Sequence, residues 1–403
     1  MRAGWPQSVQ ARLAQVAILV FAAAVTLAVQ IAPAVAQAPP PPAPAPTPPD
    51  LFLQSLGHIA VQTSQVGATG IQQQIWSIED RLQSLPQTAS APLGFAEDTP
   101  PQANVVDQAF AALGYSNEPG APQNPIAVKA PPQQAGEPSR FSYAAWTQGF
   151  VDYENRSGTF GGENIGRQTL VGGGLAGVDV TVQGLTSATD ALVAGLLTGD
   201  ATASVHNGDG STMQLHGPML GTYGAYVNGA FSADSTLKAD FFDLSENSAG
   251  STIPLGLINY VAVGNLNYKQ NVGSWWVEPT VGGSYTRTVW DTASKAFGMI
   301  DGSDLRVQGG ARFGAGFDWS GVHFTETLTL LAYDDVIVSG GTLAVATGVP
   351  LAPTDAGRIF GQAIGKIEAQ LTKNWLLNVE GELRGRTDVY GLAGRLGLTY
   401  LFD

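Results

Sequence analysis

The sequence predicts an all-β protein: a twelve-stranded antiparallel transmembrane β-barrel over residues 141–403, preceded by a Pro-rich, partly helical N-terminal segment. Three observations carry that expectation. The chain opens on an export signal, its C-terminal two-thirds alternates apolar and polar residues with a period of two, and its composition combines 50 Gly with only 13% charged residues. A soluble domain typically carries charge on about a quarter of its residues. Something other than a charged surface must keep this chain in its solvent.

Composition also excludes several function classes. Nineteen Lys and Arg against 33 Asp and Glu argue against a nucleic-acid binder that works by neutralising phosphates. The absence of Cys excludes disulfide scaffolds, thiolate metal sites and Cys nucleophiles.

Residues 1–36 read as a cleavable secretory signal. Arg2 and Arg12 precede an apolar run from Val16 to Val29, followed by Pro33 and the small-residue site Ala34-Val35-Ala36. The run is shorter than the roughly 20 residues a spanning helix requires. Cleavage after Ala36 leaves 17 basic against 33 acidic residues, a net charge of −16.

Residues 37–140 read as a tether with helices on it, not a catalytic domain. Residues 38–49 are too rich in Pro for a hydrogen-bonded ladder and predict an extended spacer. From Asp50 to Leu85 a helix is expected, with Asp50 as N-cap, Pro86 as stop and a heptad-like seam of Ile71, Ile75, Ile78, Leu82 and Leu85. Gly57, Gly67 and Gly70 weaken it. Such a seam either associates with a partner or packs on something nearby. A second short helix, Val105 to Leu113, ends at Gly114, and six Pro between Pro119 and Pro138 keep the chain open up to Arg140.

From residue 141 the period becomes two. In Leu305 to Trp319 the odd positions are all apolar or small, while the even ones hold Arg306, Gln308, Arg312 and Asp318. Residues 359–371 and 375–386 repeat the pattern. Twelve strands are expected, at 141–153, 169–182, 191–203, 212–227, 230–243, 256–269, 275–289, 304–319, 322–333, 358–371, 375–386 and 389–402. Many exceed the length of a soluble strand and suit a tilted membrane strand. A soluble β-sandwich also alternates, but its outer face would carry the charges this chain lacks. Connections alternate long (154–168, 244–255, 290–303, 334–357) with short, as in outer-membrane barrels, with 183–190 and 387–388 fitting less well. Parity makes residues 372–374 an odd-length turn, which sets Lys366 opposite Glu380 in the lumen and Glu380 near Arg395. Opposite charges would then sit adjacent, as a lumen charge network.

Several motifs suggest chemistry and have plainer explanations. Gly172-Gly173-Gly174-Leu175-Ala176-Gly177 matches G-x-G-x-x-G, but a strand continues after it where a dinucleotide site needs a helix. Close wall packing is the expectation. His58, His206, His216 and His323 are too scattered for a metal site, although His206 and His216 bracket one hairpin loop. Asp334-Asp335 and Asp240/Asp243 are candidates for carboxylate pairs; the former is expected to sit solvated at the start of the longest outer loop. Trp146, Trp275, Trp276, Tyr285, Trp290, Trp319, Tyr333, Trp375 and Tyr390 are expected to anchor the barrel at the water–lipid boundary. No catalytic, cofactor or metal residues are expected.

At the C-terminus, Arg395-x-Gly397-x-x-Tyr400-x-Phe402 resembles the signal read by the outer-membrane barrel assembly machinery. Val277-Glu278-Pro279 with Tyr285, Asp304-Leu305-Arg306 through Gly309 and Gly314, and Trp146-x-x-Gly149-Phe150 resemble the barrel of autotransporters, the type V secretion proteins of Gram-negative outer membranes. Asp403 departs from the pattern, since the family commonly stops at the aromatic residue. The resemblance implies an outer-membrane protein that meets lipid, periplasmic chaperones and the assembly machinery. It also implies a conduit through which the segment before Arg140 threads, exposing residues 37 to about 103 to an unknown surface ligand. The short helix at 105–113 is a candidate to plug the lumen instead. The alternative is a pore-forming or structural barrel whose N-terminal segment stays in the periplasm and binds a partner there.

Overall fold

The computed structural model describes residues 48–84, 140–160, 163–185, 187, 189–208, 210–248, 251–340 and 357–402. The signal segment, the 105–113 helix and the Pro-rich stretches lie outside these residues. A 37-residue helix, α1 (Pro48–Ser84), precedes twelve long strands. They are β1 (Phe141–Arg156), β2 (Arg167–Gln183), β3 (Asp190–Asn207), β4 (Thr212–Asn228), β5 (Phe231–Ser248), β6 (Ser251–Tyr268), β7 (Trp275–Trp290), β8 (Gly302–Trp319), β9 (Val322–Ser339), β10 (Phe360–Gln370), β11 (Trp375–Arg386) and β12 (Val389–Phe402). A one-turn helix, α2 (Thr292–Ala296), sits between β7 and β8. No described helix is long and apolar enough to cross a membrane. The strands make the crossing.

Every strand pairs antiparallel with its sequence neighbour, and β1 pairs with β12 from Tyr143↔Phe402 to Arg156↔Val389, so the sheet closes on itself. Closure leaves no edge with unpaired backbone groups, the condition for a sheet to reside in hydrocarbon. Side chains alternate as the pleat requires. On β3, Leu192 and Leu196 point out, 41% and 64% exposed, while Val193 and Leu197 point in and are buried.

The two ends of the barrel differ. The turn end holds short connections such as Gly229–Ala230 and Ser320–Gly321, together with Phe141 and Phe402. Ser320 and Gly321 both have positive φ, 52° and 80°, which fits the right-handed twist of the β8–β9 hairpin. The loop end carries 157–166, 291–301 and 340–359.

Several strands are longer than the sequence pattern indicates. The long loop expected at 244–255 shrinks to residues 249–250, because Ser248 still pairs with Ser251. Likewise β9 continues to Ser339 across a bulge that leaves Val336 without a partner between Asp335 and Ile337. Alternation marks a strand in the sequence only as far as the outer face stays apolar, and these strands overshoot that point. On β3 the outward residues change from Leu192 and Leu196 to Thr198, Asp200, Thr202 and His206. Eighteen residues at about 3.3 Å each, tilted by about 40°, rise roughly 45 Å, well beyond the apolar band of about 25 Å. The loop-end halves of β3–β6 therefore stand above the bilayer.

Candidate functional site: the occupied barrel lumen

Helix α1 lies inside the barrel. Its seam residues Ile71, Ile75 and Ile78, with Leu56 and Ile59 further up, are at most 1% exposed. They pack against an apolar sector of the inner wall built by β2–β6, including Val171, Leu175, Val193, Leu197, Met213, Leu215, Met219, Phe242, Leu244 and Leu257. A fully buried Ile or Leu contributes about 2 kcal/mol, so this face holds the helix firmly. An apolar inner wall is an odd feature for a water-filled conduit. Here it matches the one apolar face of α1.

The other faces of α1 meet a polar wall through hydrogen bonds spread along its length. Near the loop end, the Arg167 Nη2 donates to Gln62 Oε1 at 3.4 Å, and His58 lies 3.4 Å from the Arg156 guanidinium. Midway, Gln65 Nε2 donates to Ser284 Oγ and Thr286 Oγ1, both at 3.0 Å, and Asn259 Nδ2 donates to Ser64 Oγ at 2.9 Å. Toward the turn end, Gln74 Nε2 donates to Thr399 Oγ1 at 3.2 Å and Trp76 Nε1 to Asp234 Oδ2 at 3.2 Å. Glu79 Oε2 accepts from Ser232 Oγ at 3.0 Å and Asn267 Nδ2 at 3.2 Å. The direction of α1 follows: His58 is at the loop end and Asp80 at the turn end.

The turn-end part of α1 is secured by charge. Arg312 donates to Asp80 Oδ2 at 2.5 Å and also to Glu278, with its guanidinium 4.7 Å from the Trp76 ring and 5.3 Å from that of Trp276. Lys269 reaches Asp80 Oδ1 at 2.8 Å while resting 4.1 Å from the Trp276 ring. One carboxylate of α1 thus bridges two cations of the wall, each seated on indole.

Lys366 stands opposite Glu380, and Glu380 opposite Arg395. All three are buried in the lumen. Arg395 lies 3.6 Å from Glu380 and 2.7 Å from Glu382, while Lys366 Nζ donates to Ser77 Oγ of α1 at 2.6 Å. Neighbouring ion pairs join Arg384 to Asp152 and Glu154, and Arg306 to Asp335.

The profile of the family described as autotransporter beta-domain matches residues 145–382. The chain belongs to the autotransporter β-domain family. It is similar in fold to the β-domain of the Bordetella autotransporter BrkA, at 17% identity and a TM-score of 0.51, covering 64% of this chain and 98% of that one. Also similar are the translocator domain of the autotransporter NalP from Neisseria meningitidis (11% identity, TM-score 0.46, 64% and 88% covered) and the transport unit of AIDA-I from Escherichia coli (13%, 0.44, 74% and 97%). No curated protein sequence matches the chain. It is an outer-membrane protein.

Within this autotransporter barrel, several sequence expectations need correction. Exposure of residues 37 to about 103 at the surface does not fit, because Leu56 to Ser84 runs inside the barrel. Of the nine aromatic residues assigned to the membrane boundary, Trp146, Trp276, Trp290 and Tyr333 point inward and are buried. Strand parity decides this: Trp275 and Trp276 are neighbours and must face opposite sides. Trp146 Nε1 donates to the Tyr223 hydroxyl at 2.7 Å, which in turn donates to Asp179 Oδ2 at 2.7 Å. Tyr333 stacks on Phe360 at 5.0 Å. Trp275, Tyr285, Trp319, Trp375 and Tyr390 face outward.

The carboxylate candidates come apart as pairs. Asp240 faces the lumen, bonded to Lys238 Nζ at 2.5 Å, while Asp243 faces outward on the same strand. Asp335 is not solvated in a loop; it is buried within β9 against Arg306, with Nε to Oδ1 at 2.7 Å. His206 and His216 lie on the outer face of β3 and β4, and no metal-ligand cluster occurs among the described residues. The G-x-G-x-x-G stretch is part of β2. A Cβ on Gly177 would stand 2.5 Å from the Trp146 ring, so this glycine makes room for an inward indole. The C-terminal pattern divides between faces, with Arg395 and Gly397 inward and Tyr400 and Phe402 outward. Tyr400 packs 4.8 Å from both Trp375 and Phe402.

The polar contacts of α1 leave little trace in the sequence. One signal was present: between Leu51 and Ile78 the helix carries no Asp, Glu, Lys or Arg, while Gln72-Gln73-Gln74 interrupts its seam. A water-exposed helix usually displays charged residues; one surrounded by a polar wall needs uncharged hydrogen-bonding groups.

Proposed function

We propose that this outer-membrane autotransporter barrel retains α1 as the permanent occupant of its lumen. The residues before α1 then emerge at the cell surface, and the connection from Ser84 to Arg140 begins and ends at the periplasmic mouth. The course of α1, from His58 at the loop end to Asp80 at the turn end, carries this reading. Outer-membrane barrels turn their short connections to the periplasm and their long loops outward, which gives the two ends their sides. The apolar sector of β2–β6 favours a resident helix over a conduit for varied chains. An unfolded segment passing through would leave that sector against water. Anchoring a short surface terminus is the role that follows, without bond chemistry by the barrel.

The chain has no Cys, so single Cys substitutions report location without background. A membrane-impermeant maleimide should label Thr47→Cys on intact cells, and Ser84→Cys only after the outer membrane is permeabilised. Labelling of Ser84→Cys on intact cells, or of Thr47→Cys only after permeabilisation, overturns the reading. The outward Tyr400 and Phe402 on the last strand are the surface through which the assembly machinery and its chaperones would act. Phe402→Ser should reduce the amount of folded, heat-modifiable barrel in membranes, and unchanged assembly would count against that role.

A further inference from the structure

Around the turn end, the outer face of the barrel carries an aromatic girdle that includes Tyr143, Tyr268, Trp275, Phe317, Trp375 and Phe402. Between this girdle and mid-strand the outward positions of the twelve strands are uncharged among the described residues, with one exception. Glu326 on β9 points outward, is exposed, and has no hydrogen bond or ion pair to any described residue. It lies two residues along the same face from Phe324, about 7 Å along the tilted strand and so about 5 Å nearer the centre of the bilayer. A carboxylate facing lipid without a partner is disfavoured, and such groups persist where something neutralises them.

The surroundings of Glu326 indicate what that is. Its neighbours across the two ladders are Ala315 on β8 and Ile367 on β10, neither of which offers the carboxylate a hydrogen-bond donor or a charge from its side chain. Directly toward the turn end, Phe317 stacks on Phe324 at 5.4 Å and 11°, and Trp319 tilts against Phe324 at 6.1 Å. Trp319 is 69% and Phe317 45% exposed, so these rings present faces and edges to the same lipid. Aromatic faces attract cations, and a carboxylate beside them supplies the counter-charge. Girdle depth is where phospholipid headgroups meet acyl chains.

We propose that Glu326, with Phe317, Trp319 and Phe324, binds the ammonium headgroup of a phospholipid in the leaflet at the turn end. The lipid class is one with a primary ammonium, phosphatidylethanolamine being the representative. The carboxylate takes the ammonium and the rings flank it, while the acyl chains lie along the apolar outer wall toward Leu328 and Leu330. The site depends on the outer-membrane fold alone and is independent of which way α1 runs.

The test uses the full chain purified into nanodiscs of equal phosphatidylethanolamine and phosphatidylglycerol, followed by native mass spectrometry of the lipid retained. The unaltered protein should retain phosphatidylethanolamine with about three- to fivefold enrichment. Glu326→Gln should abolish the preference and Trp319→Leu should halve it, with heat-modifiable mobility unchanged in both. If Glu326→Gln does not fold, the unaltered protein is compared in nanodiscs whose phosphatidylethanolamine is N-acylated and so lacks the cation; the enrichment should vanish. Equal retention of both lipids by the unaltered protein overturns the proposal. So do enrichment that survives Glu326→Gln, enrichment that survives N-acylation, and cross-linking through position 326 to a second copy of the chain.

Discussion

At Gly70, helix propensity and packing pull in opposite directions. Glycine in a helix interior costs about 1 kcal/mol relative to Ala, yet a Cβ here would stand 2.6 Å from Gln148 Oε1 and 3.2 Å from Leu175 Cδ1. A lone Cβ is accommodated only if these two side-chain ends shift, and a larger side chain must displace them and meet Arg395 as well. Gly70→Leu should therefore destabilise the barrel by about 2–3 kcal/mol, read as a lower midpoint in heat-modifiable mobility, despite raising intrinsic helix propensity. Ser320 is the opposite case, a residue with a side chain in a conformation that favours glycine, at φ 52°. Ser320→Gly should raise the same midpoint, by the equivalent of about 1 kcal/mol. Asp291 caps α2 by accepting the Ser294 N–H at 2.7 Å, and that hydrogen bond holds its carboxyl below the usual range. A depressed pKa means the capping stability is fully present above the ordinary carboxylate value and is lost as pH falls through the lower folded value. Amide exchange at Ser294 should then show accelerated opening only in acid, and acceleration near neutral pH would contradict the cap.

At the scale of elements, α1 is held differently along its length. Apolar contacts run along both halves of the helix, from Leu56 to Ile78, and its turn-end half is tied in addition by the Asp80–Arg312–Glu278 and Asp80–Lys269 pairs. Removing one member of a buried ion pair leaves the rest unneutralised, which costs about 3–5 kcal/mol. Arg312→Ala should lower the unfolding midpoint by that order, because it leaves Glu278 without its cation while Asp80 keeps only Lys269. Asp80→Asn should cost less, since Glu278 still balances Arg312. Equal effects of the two variants would show that Arg312 is not shared between them. The strands illustrate the limit of pattern reading at this scale. Alternation in β8 and β11 placed Arg312 and Glu380 on the lumen side, and parity gave the register. The same alternation was lost where both faces became polar or both small, as at 244–255.

For the whole molecule, barrel and helix form one core. The apolar sector of β2–β6 is covered chiefly by α1, so deletion of residues 48–84 would leave most of it facing water. The chain lacking them should assemble into membranes in reduced amount and unfold at a lower temperature, and an added peptide of residues 48–84 should restore part of the loss. A deletion with an unchanged midpoint would mean that the barrel does not depend on its occupant.

Twelve strands, their approximate limits and the lumen register were fixed by local rules that a sequence displays: a period of two, turn residues and parity. The position of α1 was not among these. An amphipathic helix with a single apolar face is compatible with many partners, and the partner here is assembled from side chains on five strands spread over nearly a hundred residues. The same holds for the aromatic residues, whose type favours a boundary but whose face depends on pleat phase, and for Glu326. Alternation could place it outside, yet only closure of the sheet shows that lipid surrounds it. Period and composition are properties of neighbours in the chain; occupancy of the lumen is a property of the closed surface, and it exists only once β12 has met β1.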